Sequence, residues 1–402
     1  MTTKTKTYLA ALIPLSAIAF FNPLGVINDQ LSKFLFLFSC CFVSGMLLFN
    51  KNPKLKHYPK LGFFLLYFGI FSGYVVTLLI HDQGAITALI TLLPTIFAYS
   101  CFFIFYKLNI PKSKLLSLIK ILTILGIIVY VINRISYPNI IFGTRGAGDR
   151  VGMLRMWIPF IELQILMLFY YIEKAAKNGL SKNTTFWIVV YGTMIILSVT
   201  RQLIILSFIL GTLLYLYNTR GAKKFIVAIF ICAICITVVP HLPIVEVITE
   251  TTEQEAARTN GMENNVRVIA WEYFTEDAQE SIITKIFGNG IPALQKTKWG
   301  RKIDRETNAE LGGLGLYTAD IGWAGIFFYF GFIGTIGLLL CLYSAIKESL
   351  KLHWHWITGW LLLITITSVS SGFILYYHQI VSITMIFYIV YGKNRSHYIG
   401  IQ

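Results

Sequence analysis

The chain has 402 residues, of which 56% are hydrophobic and only 13% charged, with 30 Phe and 22 Tyr. A water-soluble fold cannot hide that much apolar surface, whereas a bilayer accepts it. The net charge of +15 first suggests a nucleic-acid partner. The basic residues, however, sit in loops between apolar runs, which points to membrane orientation and against nucleic acid.

Predominantly apolar runs of roughly 17–25 residues mark spanning helices, and about twelve are expected here. In chain order they lie near 8–22, 31–49, 61–80, 86–106, 115–133, 154–172, 185–200, 203–217, 225–241, 318–346, 355–370 and 373–391. The first lies close to the basic stretch "MTTKTKTY", with no small-residue cleavage site after it, and reads as a retained span. Alternate loops are lysine-rich, among them "NKNPKLKHYPK" (50–60), "KLNIPKSK" (107–114) and "EKAAKNGLSKN" (173–183). The positive-inside rule makes those loops cytoplasmic and puts both termini inside, in agreement with an even number of spans.

The expected fold class is thus an all-α integral membrane protein in three parts. Residues 1–241 form a bundle of nine spans, 242–317 a long outer (periplasmic) loop, and 318–402 three more spans with a cytoplasmic tail. Within the long loop, "NNVRVIAWEYFTEDAQESI" carries Val266, Ile269, Ala270, Tyr273 and Phe274 at helical spacing, with Asn264 or Asn265 as a cap. "FGNG" (287–290) then has turn chemistry. The six cysteines all fall inside spans and read as small buried apolar residues, so neither a metal nor another cofactor is expected.

The two faces differ in residue type. Lysine dominates the inner loops, yet nine of the eleven arginines fall on the outer side: Arg134, Arg145, Arg150, Arg155, Arg201, Arg258, Arg267, Arg301 and Arg305. Arginine offers a rigid donor fork that matches phosphate and carboxylate. An anionic substrate, diphosphate first, is the expectation, against pairing with the 13 acids between 246 and 320. Arg201, in "LSVTRQLIILSFIL" (197–210), has no acid nearby in sequence and interrupts an apolar stretch, so a tight turn and a ligand role are expected together.

Three stretches resemble the O-antigen polymerase and O-antigen ligase superfamily. "SVTRQLIIL" (198–206) is similar to a Ser-x-Arg-type signature at an outer span end. "VRVIAWEYF" (266–274) with "IFGNGIP" (286–292) resembles an arginine-plus-aromatic helix and glycine turn in the long loop, and "YTADIGWAGIFFYFGFIG" (317–334) a loop-to-span junction with a spaced Gly-x-x-Gly. In ligases a histidine precedes that Gly-x-x-Gly; here the position is Asp320, and no histidine occurs between 242 and 352. The departure favours a Wzy-type polymerase over a ligase. A flippase for the same lipid-linked sugars is a further alternative, disfavoured by the absence of similar halves.

The resemblance implies a GT-C-like glycosyltransferase of the bacterial inner membrane. It would transfer a growing glycan from undecaprenyl diphosphate onto a lipid-linked repeat unit, with membrane lipids around it and a chain-length regulator as partner. Arg201 and Arg267 are the expected diphosphate ligands, and Asp320, by its position, the candidate base. Arg150, Arg155, Arg145, Arg301 and Tyr273 are candidate substrate contacts, joined by Glu162 and His378 as ionisable groups inside spans.

Overall fold

The computed structural model describes residues 1–20, 29–48, 58–142, 148–150, 153–198, 200–219, 221, 266–310 and 316–392. Arg145, Arg258, Asn264, Asn265 and the run 225–241 lie outside the described residues. Eight helices come first: α1 (Thr3–Ala17), α2 (Asp29–Leu48), α3 (Lys60–Leu79), α4 (Ala85–Leu108), α5 (Lys112–Ile135), α6 (Ile161–Asn178), α7 (Lys182–Leu197) and α8 (Arg201–Asn218). An antiparallel hairpin of β1 (Gly148–Arg150) and β2 (Met153–Arg155), with Asp149 opposite Leu154, interrupts the otherwise all-α order between α5 and α6. The segment expected on the outer side holds α9 (Val266–Glu272), α10 (Ile282–Phe287) and α11 (Lys298–Arg305), and the chain continues through α12 (Gly322–Lys351), α13 (His355–Thr367) and α14 (Tyr377–Tyr391).

The expected count of twelve spans is corrected. Among the described residues six helices are long and apolar enough to cross a membrane: α2, α3, α4, α5, α8 and α12. The helices α1, α7, α13 and α14 have 15, 16, 13 and 15 residues. At about 1.5 Å per residue they reach roughly 20–24 Å, short of the ~30 Å hydrocarbon layer. Helix α6 is 18 residues long but carries Glu162, Glu173, Lys174 and Lys177. Apolar composition reports burial and not its medium: Ile380 to Tyr391 of α14 are all buried within the protein, so this helix is apolar all round without needing lipid.

The long helices do present lipid-type faces. Phe34, Phe38, Phe42 and Met46 recur every fourth residue along α2 and are exposed, as are Leu61, Phe64, Phe68 and Phe71 on α3. Such stripes have no place in water. The protein is a multi-pass membrane protein.

The tightest helix pair is α3 with α12, and glycines make it possible. A Cβ on Gly69 would lie 2.5 Å from Gly334 Cα, and one on Gly337 would lie 2.3 Å from Leu66 N. Small residues let two backbones meet where larger ones hold them apart. Helix α12 is itself broken at Gly331 (φ 65°, ψ −172°), which removes helical partners from the carbonyls just before it. The "FGNG" turn fills the break: Asn289 N–H donates to Phe328 O at 2.8 Å and Gly290 N–H to Tyr329 O at 2.9 Å. From the other side, Ser72 Oγ donates to Phe287 O at 3.1 Å and Thr77 Oγ1 to Asn289 O at 2.8 Å. The outer segment is thereby wedged between two spanning helices.

A buried polar relay reinforces the wedge. Gln279 Nε2 donates to the carbonyl of Phe274 at 3.2 Å, which leaves its Oε1 to accept from Asn289 Nδ2 at 2.9 Å. Asn289 Oδ1 must then accept from His81 Nε2, 2.8 Å away, so His81 carries its proton on Nε2. Its ring stacks on Trp299 with centroids 4.0 Å apart. Burial holds the His81 pKa below its ordinary value of 6.5, with Lys302 adding to the effect against the Asn289 bond and Glu280. The folded protein therefore binds this proton less tightly than the unfolded chain. The stabilisation is complete above pH 6.5 and is lost as the pH falls below it, because only the unfolded state takes up the proton. The thermal unfolding midpoint in detergent is expected to fall between pH 7.5 and about pH 5, and to fall less for His81→Gln. Equal falls would assign the pH dependence to other groups.

Candidate functional site

Helix α7 ends at Leu197 with Ser198 as its cap, and Arg201 opens α8, so residues 201–202 lie within a helix and not in the expected loop. Arg201 is half-buried at the first position of α8, whose first turn holds no acid and whose cap, Thr200, makes no side-chain capping bond. A helix start already favours negative charge, and a cation placed there adds to that preference.

The neighbouring Gln202 donates to Ser370 Oγ in the turn between α13 and α14. Trp271 Nε1, on α9, donates to Val369 O of the same turn at 2.9 Å. Arg267 is exposed and four residues before Trp271, so it shares that helix face. The start of α12 closes the arrangement: Gly322 N–H donates to Ser371 O at 3.1 Å and Trp323 N–H to Ser368 O at 3.0 Å. Asp320, exposed, ends the short 3-10 turn Thr318–Asp320 two residues before Gly322. The α12 cap is Ile321, and no side chain caps this helix. Gln202, Trp271 and Gly322, which lie one, four and two residues from Arg201, Arg267 and Asp320 in sequence, thus all bond to one turn, 368–371.

That turn runs on into a cavity of about 260 Å3. Trp157, Tyr329, Tyr376, Tyr377 and His378 supply rings to its lining, and Lys33 supplies a positive charge. Thr318, directly before Ala319 and Asp320, is also in the wall, where its hydroxyl is 2.8 Å from the Tyr329 hydroxyl. His378 is buried, with its ring against Tyr376 (5.4 Å between centroids) and edge-on to Trp157 (6.1 Å).

The remaining candidates fall elsewhere. Glu162 is fully enclosed, accepting from Ser382 Oγ at 2.7 Å, while its backbone oxygen accepts from Trp360 Nε1 at 2.6 Å; it joins α6, α13 and α14. Tyr273 is buried and donates to Glu306 Oε2 at 2.6 Å inside the small core of the outer segment, beside Phe274 and Phe328. Arg301 is exposed on α11, whose buried residues Trp299 and Ile303 face the opposite way. The backbone of Arg150 and Arg155 lies in the β-hairpin. Among the described residues no three His, Cys, Asp or Glu side chains come together as a metal site would require.

No protein-family model matches the chain, and no curated protein matches it. The site is therefore read from its own geometry. The sequence alone gave no site role to Trp157, Tyr329, Thr318 or the 368–371 turn. Their only local signals are the run of small polar residues "SVSSG" (368–372) and a tryptophan two residues before Pro159.

Proposed function

We propose that this protein is a polysaccharide polymerase that transfers a growing glycan from undecaprenyl diphosphate onto a lipid-linked repeat unit at the outer face of a bacterial inner membrane. The observation that carries the reading is that Gln202 and Trp271, on the helices that hold Arg201 and Arg267, bond to one turn, 368–371, whose chain continues into the cavity wall at Ile374. In the reaction a hydroxyl of the acceptor sugar attacks the anomeric carbon of the donor. The bond from that carbon to the phosphate oxygen breaks, undecaprenyl diphosphate leaves with the electron pair, and the hydroxyl proton passes to a base. The donor bond is already activated, so the main requirement is to stabilise charge growing on the diphosphate. Preorganised guanidinium groups beside an uncapped helix start meet that requirement. Asp320, exposed two residues before Gly322, is the carboxylate that serves as the base in this reading. The rings of Trp157, Tyr376 and Tyr377 offer flat apolar faces for sugar, with hydroxyl groups between them.

The test is a glycolipid gel from a strain lacking the gene, run beside the lipid-linked carrier pool. Surface lipid capped by a single repeat, without long chains, is expected. Bare surface lipid with long chains stranded on the carrier would make the protein a ligase. An unchanged ladder would overturn the glycosyl-transfer reading.

A further inference from the structure

Tyr329 belongs to three parts of the protein at once. Its backbone lies two residues before the break of α12 at Gly331. There its carbonyl accepts from Gly290 N–H at 2.9 Å. A Cβ on Gly73 of α3 would come to 2.5 Å from the same oxygen, and one on Gly288 to 2.4 Å. The Tyr329 peptide is thus clamped between α3 and the glycine turn, which fixes where its side chain starts. The ring lies against those of Phe328 (5.6 Å between centroids) and Phe330 (6.0 Å) and forms part of the cavity wall. Its hydroxyl is 2.8 Å from Thr318 Oγ1, eleven residues back.

Thr318 opens the 3-10 turn that ends at Asp320. The backbone bonds of this turn are Asp320 N–H to Tyr317 O at 2.9 Å and Ile321 N–H to Thr318 O at 3.2 Å. So short a 3-10 piece has poor hydrogen-bond geometry and gains from support outside itself. Gly325 gives Thr318 room to approach α12, since a Cβ there would lie 3.2 Å from Thr318 Cβ. Among the described residues no hydrogen bond or ion pair holds the Asp320 carboxylate, and no side chain caps α12. The turn therefore sets where that carboxylate stands, and the Thr318–Tyr329 bond ties the turn to the clamped part of α12. A base acts only within hydrogen-bond reach of the proton it takes, and misplacement by about 1 Å costs on the order of 100-fold in rate.

We infer that Tyr329 is a positioning residue: given the polymerase reading in which Asp320 is the base, the Tyr329 hydroxyl acts through Thr318 to hold the Asp320 carboxylate against the acceptor hydroxyl. The test uses detergent-purified protein and undecaprenyl-diphosphate-linked repeat units extracted from the strain lacking the gene. Formation of the two-repeat product is followed by mass spectrometry. Tyr329→Phe keeps the ring and removes the bond, so kcat is expected to fall about 10- to 100-fold with KM little changed. Thr318→Val should fall alike, and Thr318→Ser, which keeps the hydroxyl, should turn over like wild type. The deciding comparison is Asp320→Asn with and without Tyr329→Phe. Asp320→Asn alone is expected to cost about 100-fold or more. Adding Tyr329→Phe should then cost nothing further, because its hydroxyl acts only through the carboxylate. A merely structural tyrosine would lower the rate by the same factor in both backgrounds, and that result overturns the positioning role. Wild-type turnover by Tyr329→Phe overturns it too, and in both cases the polymerase reading stands. Should Tyr329→Phe fail to fold, equal rates for Thr318→Val and Thr318→Ser overturn it instead. A fully active Asp320→Asn removes the base and the positioning role together. Wild-type protein that forms no two-repeat product overturns the polymerase reading itself.

Discussion

Arg201→Ala is expected to abolish long glycan chains while the protein still inserts and accumulates. Loss of one preorganised donor to a developing oxyanion typically lowers turnover about 100- to 1,000-fold. Gels of surface glycolipid, with protein levels measured by immunoblot, give the readout. Arg201→Lys restores charge without the planar fork, so only partial recovery is expected. A wild-type ladder from Arg201→Ala would remove the diphosphate role from this residue, whatever the function of the protein. Arg201 opens a helix and is half-buried, so unchanged protein levels in the immunoblot are what separates lost activity from lost folding.

The second large effect belongs to the broken helix. Gly331→Ala forces a Cβ to within 2.3 Å of Ile286 O and 2.4 Å of Gly288 N, at a φ of 65° that disfavours any side chain. Strain of this kind and the displaced turn together are expected to destabilise by about 3 kcal/mol or more. Fluorescence-detected size exclusion after a heating series is the measurement. The variant should aggregate at a clearly lower temperature than wild type. By contrast, Gly45→Ala, whose Cβ would meet nothing within 4 Å, should match wild type. If Gly331→Ala melts like wild type, the turn does not depend on the close approach described for it.

How much of this was legible in advance depends on the range of the interaction. The helix at 266–272 and the glycine turn at 288–290 follow from local periodicity and backbone freedom, and both stand where residue spacing puts them. The number of membrane-crossing helices was misjudged because α13 and α14 are apolar for a different reason, enclosure by other helices. The site was legible in part. Arg201 next to a short break between two helices could be read from its neighbours. That the helices holding Arg201 and Arg267 share the 368–371 turn could not, because Gln202 and Ser370 are 168 residues apart and Trp271 and Val369 are 98 apart. Tyr273, expected among the substrate contacts, packs with Phe274 and Phe328 and donates to Glu306, a tertiary setting that its local sequence does not display.

The interlock of the glycine turn with α12 also bears on the order in which the chain matures. The N–H groups of Asn289 and Gly290 find their acceptors at Phe328 and Tyr329, about forty residues later in synthesis. A nascent chain that has completed residues 266–303 still lacks those carbonyls until the following apolar helix has been made and inserted. Completion of the outer segment is therefore coupled to a later insertion event. A product truncated just before Gly322 would display an unsealed outer segment, recognisable to quality-control proteases, even though every residue of that segment had been made.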